Sequence, residues 1–354
     1  MLRFLEQPEF TLVVPDDGMA ATVRALMATG KPANDTYLAG LSPQRPAGRI
    51  TGSFIYAHPP DYIGRPTMTF GVAEWREQLR ELKTLGIDTV IYQAAVWAEV
   101  RECYYPSRHF TGYRTWDSLS KLVEAVGAES MTLFLGGLGN MLAFDERITR
   151  ETLDADAREQ LICFRELLAY RGGFQGFYMS PETGFPGARQ PERERLLNGY
   201  YSQVCRGVKE LMPELKILMS PGTYYYAGRE RDTHDFLSSL LSGCPVDIMA
   251  PQDSIGTFGN TLPDYRPAFT IWREVCRTLG IELWVNAESF ERVRIGTASD
   301  FEPASIERLH AQLNLAAEFG AKIVSWEVPH FYSASAGPAG LRLRDDYLKR
   351  LEAR

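Results

Sequence analysis

The chain has 354 residues, 45% hydrophobic and 23% charged, with a formal net charge of −7. This is a globular composition able to bury a large core. It lacks the long basic tract that follows phosphates, which argues against a nucleic-acid partner. No apolar run approaches the ~20 residues that cross a bilayer, which argues against a membrane protein.

Five dispersed cysteines (Cys103, Cys163, Cys205, Cys244 and Cys276), with no CxxC pair, read as reduced thiols of a cytoplasmic protein. The opening MLRFLEQPEF has no charged segment leading into a long apolar one, so no secretory leader is expected. Residues 1–48 hold one apolar run, TLVV, then a helix near 19–27, then a Pro/Gly-rich stretch. They are expected to form an appendage packed on the main domain, or seated between copies of the chain in a homo-oligomer.

From about residue 50 one pattern recurs: a short apolar run, a Gly/Pro/aromatic loop, an amphipathic helix. The runs at 50–57, 88–94, 130–136, 174–180, 215–220, 246–251, 281–288 and 321–327 are nearly continuous in apolar residues, as strands covered on both faces require. The intervening helices carry one apolar stripe, for example Trp75, Leu79, Leu82 and Leu85, or Ile306, Leu309 and Leu313. Gly86, Gly280 and Gly320 stand where helices end, suited to left-handed C-caps before the next strand. Eight such units predict an α/β fold, a (β/α)8 TIM barrel over 49–354 with 1–48 as its N-terminal appendage. No GxGxxG follows any run, against a dinucleotide-binding sheet.

In such a barrel chemistry sits at the C-terminal strand ends. In order these supply Tyr56 and His58; Gln93 and Trp97; Asn140; Tyr178 and Glu182; Tyr224; Gln252 and Asp253; Asn286 and Glu288; Trp326, Glu327 and His330. Glu182 on strand 4 and Glu288 on strand 7 would face each other across the mouth, as the acid/base and the nucleophile or base of glycoside hydrolysis. Trp97, Tyr224 and Trp326 offer flat apolar faces to sugar rings. Gln93, Asn140, Gln252, Asp253, Asn286 and Glu327 offer hydrogen bonds to hydroxyls. His58, His109 and His330 lack partners at metal-ligand spacing and read as structural. No cofactor is required. Two other readings remain open: a metal-dependent sugar isomerase, epimerase or aldolase-type barrel with Asp253, Glu288, Glu327 and a His as ligands, and a carbohydrate-binding barrel without turnover. No strand-end Lys suits a Schiff base, since Lys322 begins strand 8.

The ordered runs GFYMSPE, ILMSPGTYY, VDIMAPQDSIG, LWVNAESF and VSWEVPHFYS resemble an uncharacterised bacterial family of glycosidase-like TIM-barrel proteins, a domain of unknown function, over about residues 50–335. The resemblance implies a sugar-active barrel and names no substrate. The wider clan of retaining glycosidases is similar more loosely. Its members carry Asn before the strand-4 acid, where this chain has Pro181, a departure that bears on the 2-hydroxyl contact and on the retaining mechanism. A Trp ending strand 8 is common there, and Trp326 matches.

Overall fold

The computed structural model describes residues 17–41, 48–56, 67–140, 142, 148–293 and 301–352. Eight parallel strands form the central sheet: β1 Gly52–Ile55, β2 Thr89–Tyr92, β3 Thr132–Gly136, β4 Gly176–Met179, β5 Lys216–Met219, β6 Ile248–Met249, β7 Val285–Glu288 and β8 Ile323–Trp326. Each lies inside one of the eight predicted runs. Sequential strands are neighbours, and β8 returns to β1. The seventh strand joins the ring on both sides because it is broken at Trp284. Its first piece, Glu282–Leu283, pairs with β6, and β7 pairs with β8. Above the break the ladder to strand 6 continues: the Trp284 N–H donates to Met249 O at 2.8 Å and the Asn286 N–H to Pro251 O at 2.9 Å.

The outer layer comprises α2 Val72–Thr84, α3 Leu119–Glu129, α4 Arg150–Leu167, α5 Pro191–Leu211, α6 Glu230–Leu241, α7 Tyr265–Leu279 and α8 Ile306–Ala316. The short α9 Val328–Phe331 and the terminal α10 Gly337–Glu352 follow. The predicted stripes face the sheet; Trp75, Leu79, Leu82 and Leu85 are all at most 1% exposed. Gly86 (φ +87°) and Gly280 (φ +71°) adopt the left-handed conformation. Gly320 does not. It is small for another reason: a Cβ there would come within 2.9 Å of Val285 Cγ2.

Strand side chains alternate between two cores. Phe54, Ile91, Phe134, Tyr178, Leu218, Ile248, Trp284 and Val324 fill the barrel axis. Their neighbours, such as Val90, Phe177, Met219, Val285 and Ile323, pack under the helices.

Ahead of β1 the expected helix is longer than the sequence suggests. It runs as α1 Asp17–Ala39, straight through Pro32. A proline there forfeits one main-chain bond, and packing on the barrel compensates. Asn34 Oδ1 accepts the Leu262 N–H at 2.7 Å, and Lys31 pairs with Glu291 at 2.6 Å. Gly30 lies so close to Phe258 that a Cβ would stand 2.8 Å from its ring. The TLVV run lies outside the described residues.

Candidate active site

The period-two alternation that fills the axis continues past the strand ends, and there the apolar residues give way to polar ones. From Phe54 it reaches Tyr56; from Ile91, Gln93; from Tyr178, Ser180 and Glu182; from Leu218, Ser220; from Ile248, Ala250 and Gln252; from Trp284, Asn286 and Glu288; from Val324, Trp326. These residues bond to one another. Gln252 Nε2 donates to Glu182 Oε2 at 2.8 Å and to Ser220 O at 2.9 Å. Asn286 Nδ2 donates to Ser220 Oγ at 3.0 Å. Trp326 Nε1 donates to Tyr56 Oη at 2.6 Å and to Gln93 Oε1 at 3.0 Å.

Glu182 owes its place to Pro181, which has no N–H to continue a ladder and whose carbonyl accepts from Tyr201 Oη at 3.3 Å. The carboxylate is half-buried and accepts from Tyr178 Oη at 3.0 Å besides Gln252. Burial raises its pKa above the ordinary carboxyl value, against the pull of those two donors.

Glu288 is 2% exposed. Its Oε2 accepts the Thr257 N–H at 2.9 Å. Gly256 permits this approach: a Cβ there would meet Phe290 O at 2.2 Å and Glu288 Oε2 at 3.1 Å. The loop making the contact holds two non-glycine residues in the left-handed region, Ser254 (φ +57°) and Phe258 (φ +59°), each costing about 1 kcal/mol or more. Burial, and then the charge of Asp253, push the Glu288 carboxyl up to about 8. The two acids are linked through one strand: Gln252, bonded to Glu182, is the bridge partner of Asn286, two residues before Glu288.

Tyr224 borders both acids. Its ring rests on glycines, since Cβ atoms at Gly184 and Gly259 would come within 2.7 and 2.8 Å of it. Burial, with the nearby charges of Glu288 and Glu182, pushes its hydroxyl up to about 12, so it stays a neutral donor. On the other side stands an aromatic wall. Tyr56 and Trp97 are parallel (6.3 Å, 2°), and Trp326 meets Tyr56 edge-on (5.9 Å, 84°).

Several expected residues lie elsewhere. Asp253 and Glu327 take the opposite parity to Gln252 and Trp326, and each is 0% exposed. The Asp253 carboxylate is bonded to Gln312 on α8 and to main-chain N–H groups. Glu327 is the extended residue that caps α9. Asn140 spends both amide atoms on its surroundings, donating to Asp156 of α4 at 2.6 Å and accepting from Leu142 N on its own loop at 3.0 Å. His58 lies outside the described residues. His109 bonds Glu159 at the surface, and the His330 ring rests edge-on against Phe331. Ser220, Thr257, Arg308 and Gln312 were given no role by the sequence reading, and Tyr56 only a place at the end of strand 1. Strand parity was the available signal for Tyr56 and Ser220. For Arg308 and Gln312 it was their four-residue spacing on the apolar side of α8.

Among the described residues no three His, Cys, Asp or Glu side chains gather as a metal site, and no helix is long and apolar enough to cross a membrane.

The fold is shared with solved structures. The chain is similar to a provisionally assigned alpha-L-fucosidase from Bacteroides thetaiotaomicron VPI-5482, with a TM-score of 0.74, 21% identity, and 89% of this chain and 96% of that one covered. It is similar to a GH113 beta-1,4-mannanase (TM-score 0.55, 12% identity, 87% and 99% covered). It is also similar to endo-glycoceramidase II from Rhodococcus sp. (TM-score 0.53, 12% identity, 86% and 81% covered). At such identities the likeness is one of fold, a glycosidase-like TIM barrel. No curated protein sequence matches the chain. Residues 50–338, most of the barrel, match the domain of unknown function DUF4434, and the chain belongs to that family.

Proposed function

We propose that the protein is a glycoside hydrolase in which Glu182 is the general acid/base and Glu288 the nucleophile. The observation that supports this is a carboxyl group just beyond β4, Glu182, and another at the end of β7, Glu288, linked through Gln252 and accompanied by the Tyr56–Trp97–Trp326 wall. Two carboxyl groups that can differ in protonation are what glycosidic cleavage uses. Glu182, half-buried and raised in pKa, would deliver a proton to the leaving oxygen. Glu288, held by the Thr257 N–H, would attack the anomeric carbon as the carboxylate, its proton lost to solvent before the glycosidic bond breaks. Trp97, Trp326 and Tyr56 take the apolar face of a pyranose ring. Gln93, Gln252, Asn286 and Tyr224 hold its hydroxyls. Asn286 Oδ1 supports this, being buried and without a hydrogen-bond partner among the described residues.

The test is a product assay against a broad panel of natural oligosaccharides, with and without chelator, run beside Glu182→Gln and Glu288→Gln. Cleavage that survives chelator and is lost in both variants supports the reading; full activity in either variant overturns it. The anomer first released, read by NMR, distinguishes retention from inversion. One observation favours a second reading: a Glu288 that keeps its proton near neutral pH suits a barrel that binds sugar without turnover. Sugar binding with no product across the pH range would establish that instead.

A further inference from the structure

We propose that Asp253 is a positioning residue for Glu288: with Gln312 and Arg308 it forms a buried frame behind β7 that fixes the Glu288 main chain and shares one negative charge with its carboxyl group. The inference rests on the reading of Glu288 as the reacting carboxylate.

The geometry is closed on the helix side of the strand. Asp253 Oδ1 accepts the N–H of Glu288 and that of Ile255, both at 3.3 Å. Its Oδ2 accepts from Gln312 Nε2. The same Gln312 amide reaches Glu288 O at 3.2 Å, and its Oε1 accepts from Arg308 at 2.9 Å. Arg308 donates to Glu288 O at 3.2 Å and to Phe290 O at 2.6 Å. The peptide units on both sides of Glu288 are thereby fixed, and none of the three side chains is more than 2% exposed. Such an arrangement does not meet substrate, because parity puts it behind the wall of the barrel.

Charge counting gives the second half of the proposal. Asp253, Arg308 and Tyr224 face Glu288 from three different elements. Tyr265 of α7 faces Asp253 and stays neutral. Glu291 lies beyond Arg308 at 3.9 Å and has Lys31 of α1 as its closer partner. One buried guanidinium therefore serves two buried carboxyl groups. Two charges on them would leave one uncompensated, which is costly in an apolar interior, so the pair holds one proton between them. The Gln312 amide and two main-chain N–H groups converge on Asp253, while Glu288 accepts from the Thr257 N–H and hydroxyl. Burial raises both carboxyl groups, Asp253 to about 6 and Glu288 to about 8, so the charge rests more on Asp253 and the proton on Glu288. Ionising Glu288 therefore takes a pH above about 8 or a nearby positive charge.

The test is a pH titration of the Glu288 carboxyl carbon, in protein carrying carboxyl-13C glutamate, with its resonance assigned by loss in Glu288→Gln. In Asp253→Asn the titration should fall by about one pH unit or more, the effect of deleting an adjacent like charge. Gln312→Met should shift it the same way by less, since Asp253 loses a donor and takes up the proton more readily. The low-pH limb of kcat/KM should move with the titration. Gln312→Met decides the matter if Asp253→Asn does not fold. An unmoved titration in the folded variants overturns the proposal even if the protein cleaves glycosides. A moved titration in a protein that cleaves nothing upholds the charge sharing and removes the hydrolase reading.

Discussion

Replacing Glu288 by Gln should stabilise the protein, and by an amount that depends on pH. The carboxyl stands at about 8 in the fold against an ordinary 4.5. A carboxyl raised by folding contributes its full stability below pH 4.5 and loses it as the pH climbs to about 8. The difference, 8 − 4.5 = 3.5 units at about 1.36 kcal/mol each, bounds the loss at about 5 kcal/mol by pH 9. Glutamine keeps a carbonyl oxygen for the Thr257 N–H and cannot ionise, so it escapes that loss. At about 2.1 cal/mol/K per residue over 354 residues, a gain of about 5 kcal/mol raises Tm by about 6 °C. Thermal melts of wild type and Glu288→Gln at pH 4 and pH 9 measure it: near-zero difference at pH 4, about 6 °C at pH 9. Equal shifts at both pH values, or a variant less stable than wild type at pH 9, would refute the electrostatic argument. The experiment needs no substrate.

Other outcomes follow from the same geometry. Glu182→Gln should lower kcat by about 10²- to 10⁴-fold, the usual worth of a positioned acid/base, measured on whichever glycoside the panel yields. If Glu288 is the nucleophile, kcat/KM should rise with pH through about 8; a fall above that value would make Glu288 the proton donor instead. Gly184→Ala should push its new methyl into the Tyr224 ring, 2.7 Å away, and raise KM more than Tm falls, as steady-state kinetics and melts would show. On the appendage helix, Asn34→Ala should cost about 1–3 kcal/mol in urea unfolding because the buried Leu262 N–H loses its acceptor. Lys31→Ala should cost under about 1 kcal/mol because Lys31 is 60% exposed.

The barrel was legible because its elements are specified locally. A strand covered on both faces has to be an uninterrupted apolar run, and a helix lying on a sheet has to repeat at three and four. The ring closure at Trp284 was not legible, since a break that lets one strand pair with two neighbours leaves the apolar run unchanged. The length of α1 was hidden for the opposite reason. Lys31-Pro32 reads as a stop, and contacts with residues more than two hundred positions away, Phe258, Leu262 and Glu291 among them, carry the helix through it.

At the site, sequence order located the strand ends and parity decided what stands there. Gln252 and Asp253 are adjacent in the chain, yet one bonds Glu182 over the axis and the other bonds Gln312 under a helix. Counting by twos from Ile248 separates them, as counting from Val324 separates Trp326 from Glu327. The frame behind Glu288 could not be found this way, because Arg308 and Gln312 belong to a helix whose stripe reads as ordinary core. What identifies it is burial of charge in excess of its compensation. A core selected for stability alone would place an apolar residue at Asp253 and an amide at Glu288. That both positions carry carboxyl groups, beside a loop with two strained residues and a glycine that a methyl would block, is the physical argument behind the proposal that this end of the barrel is a site.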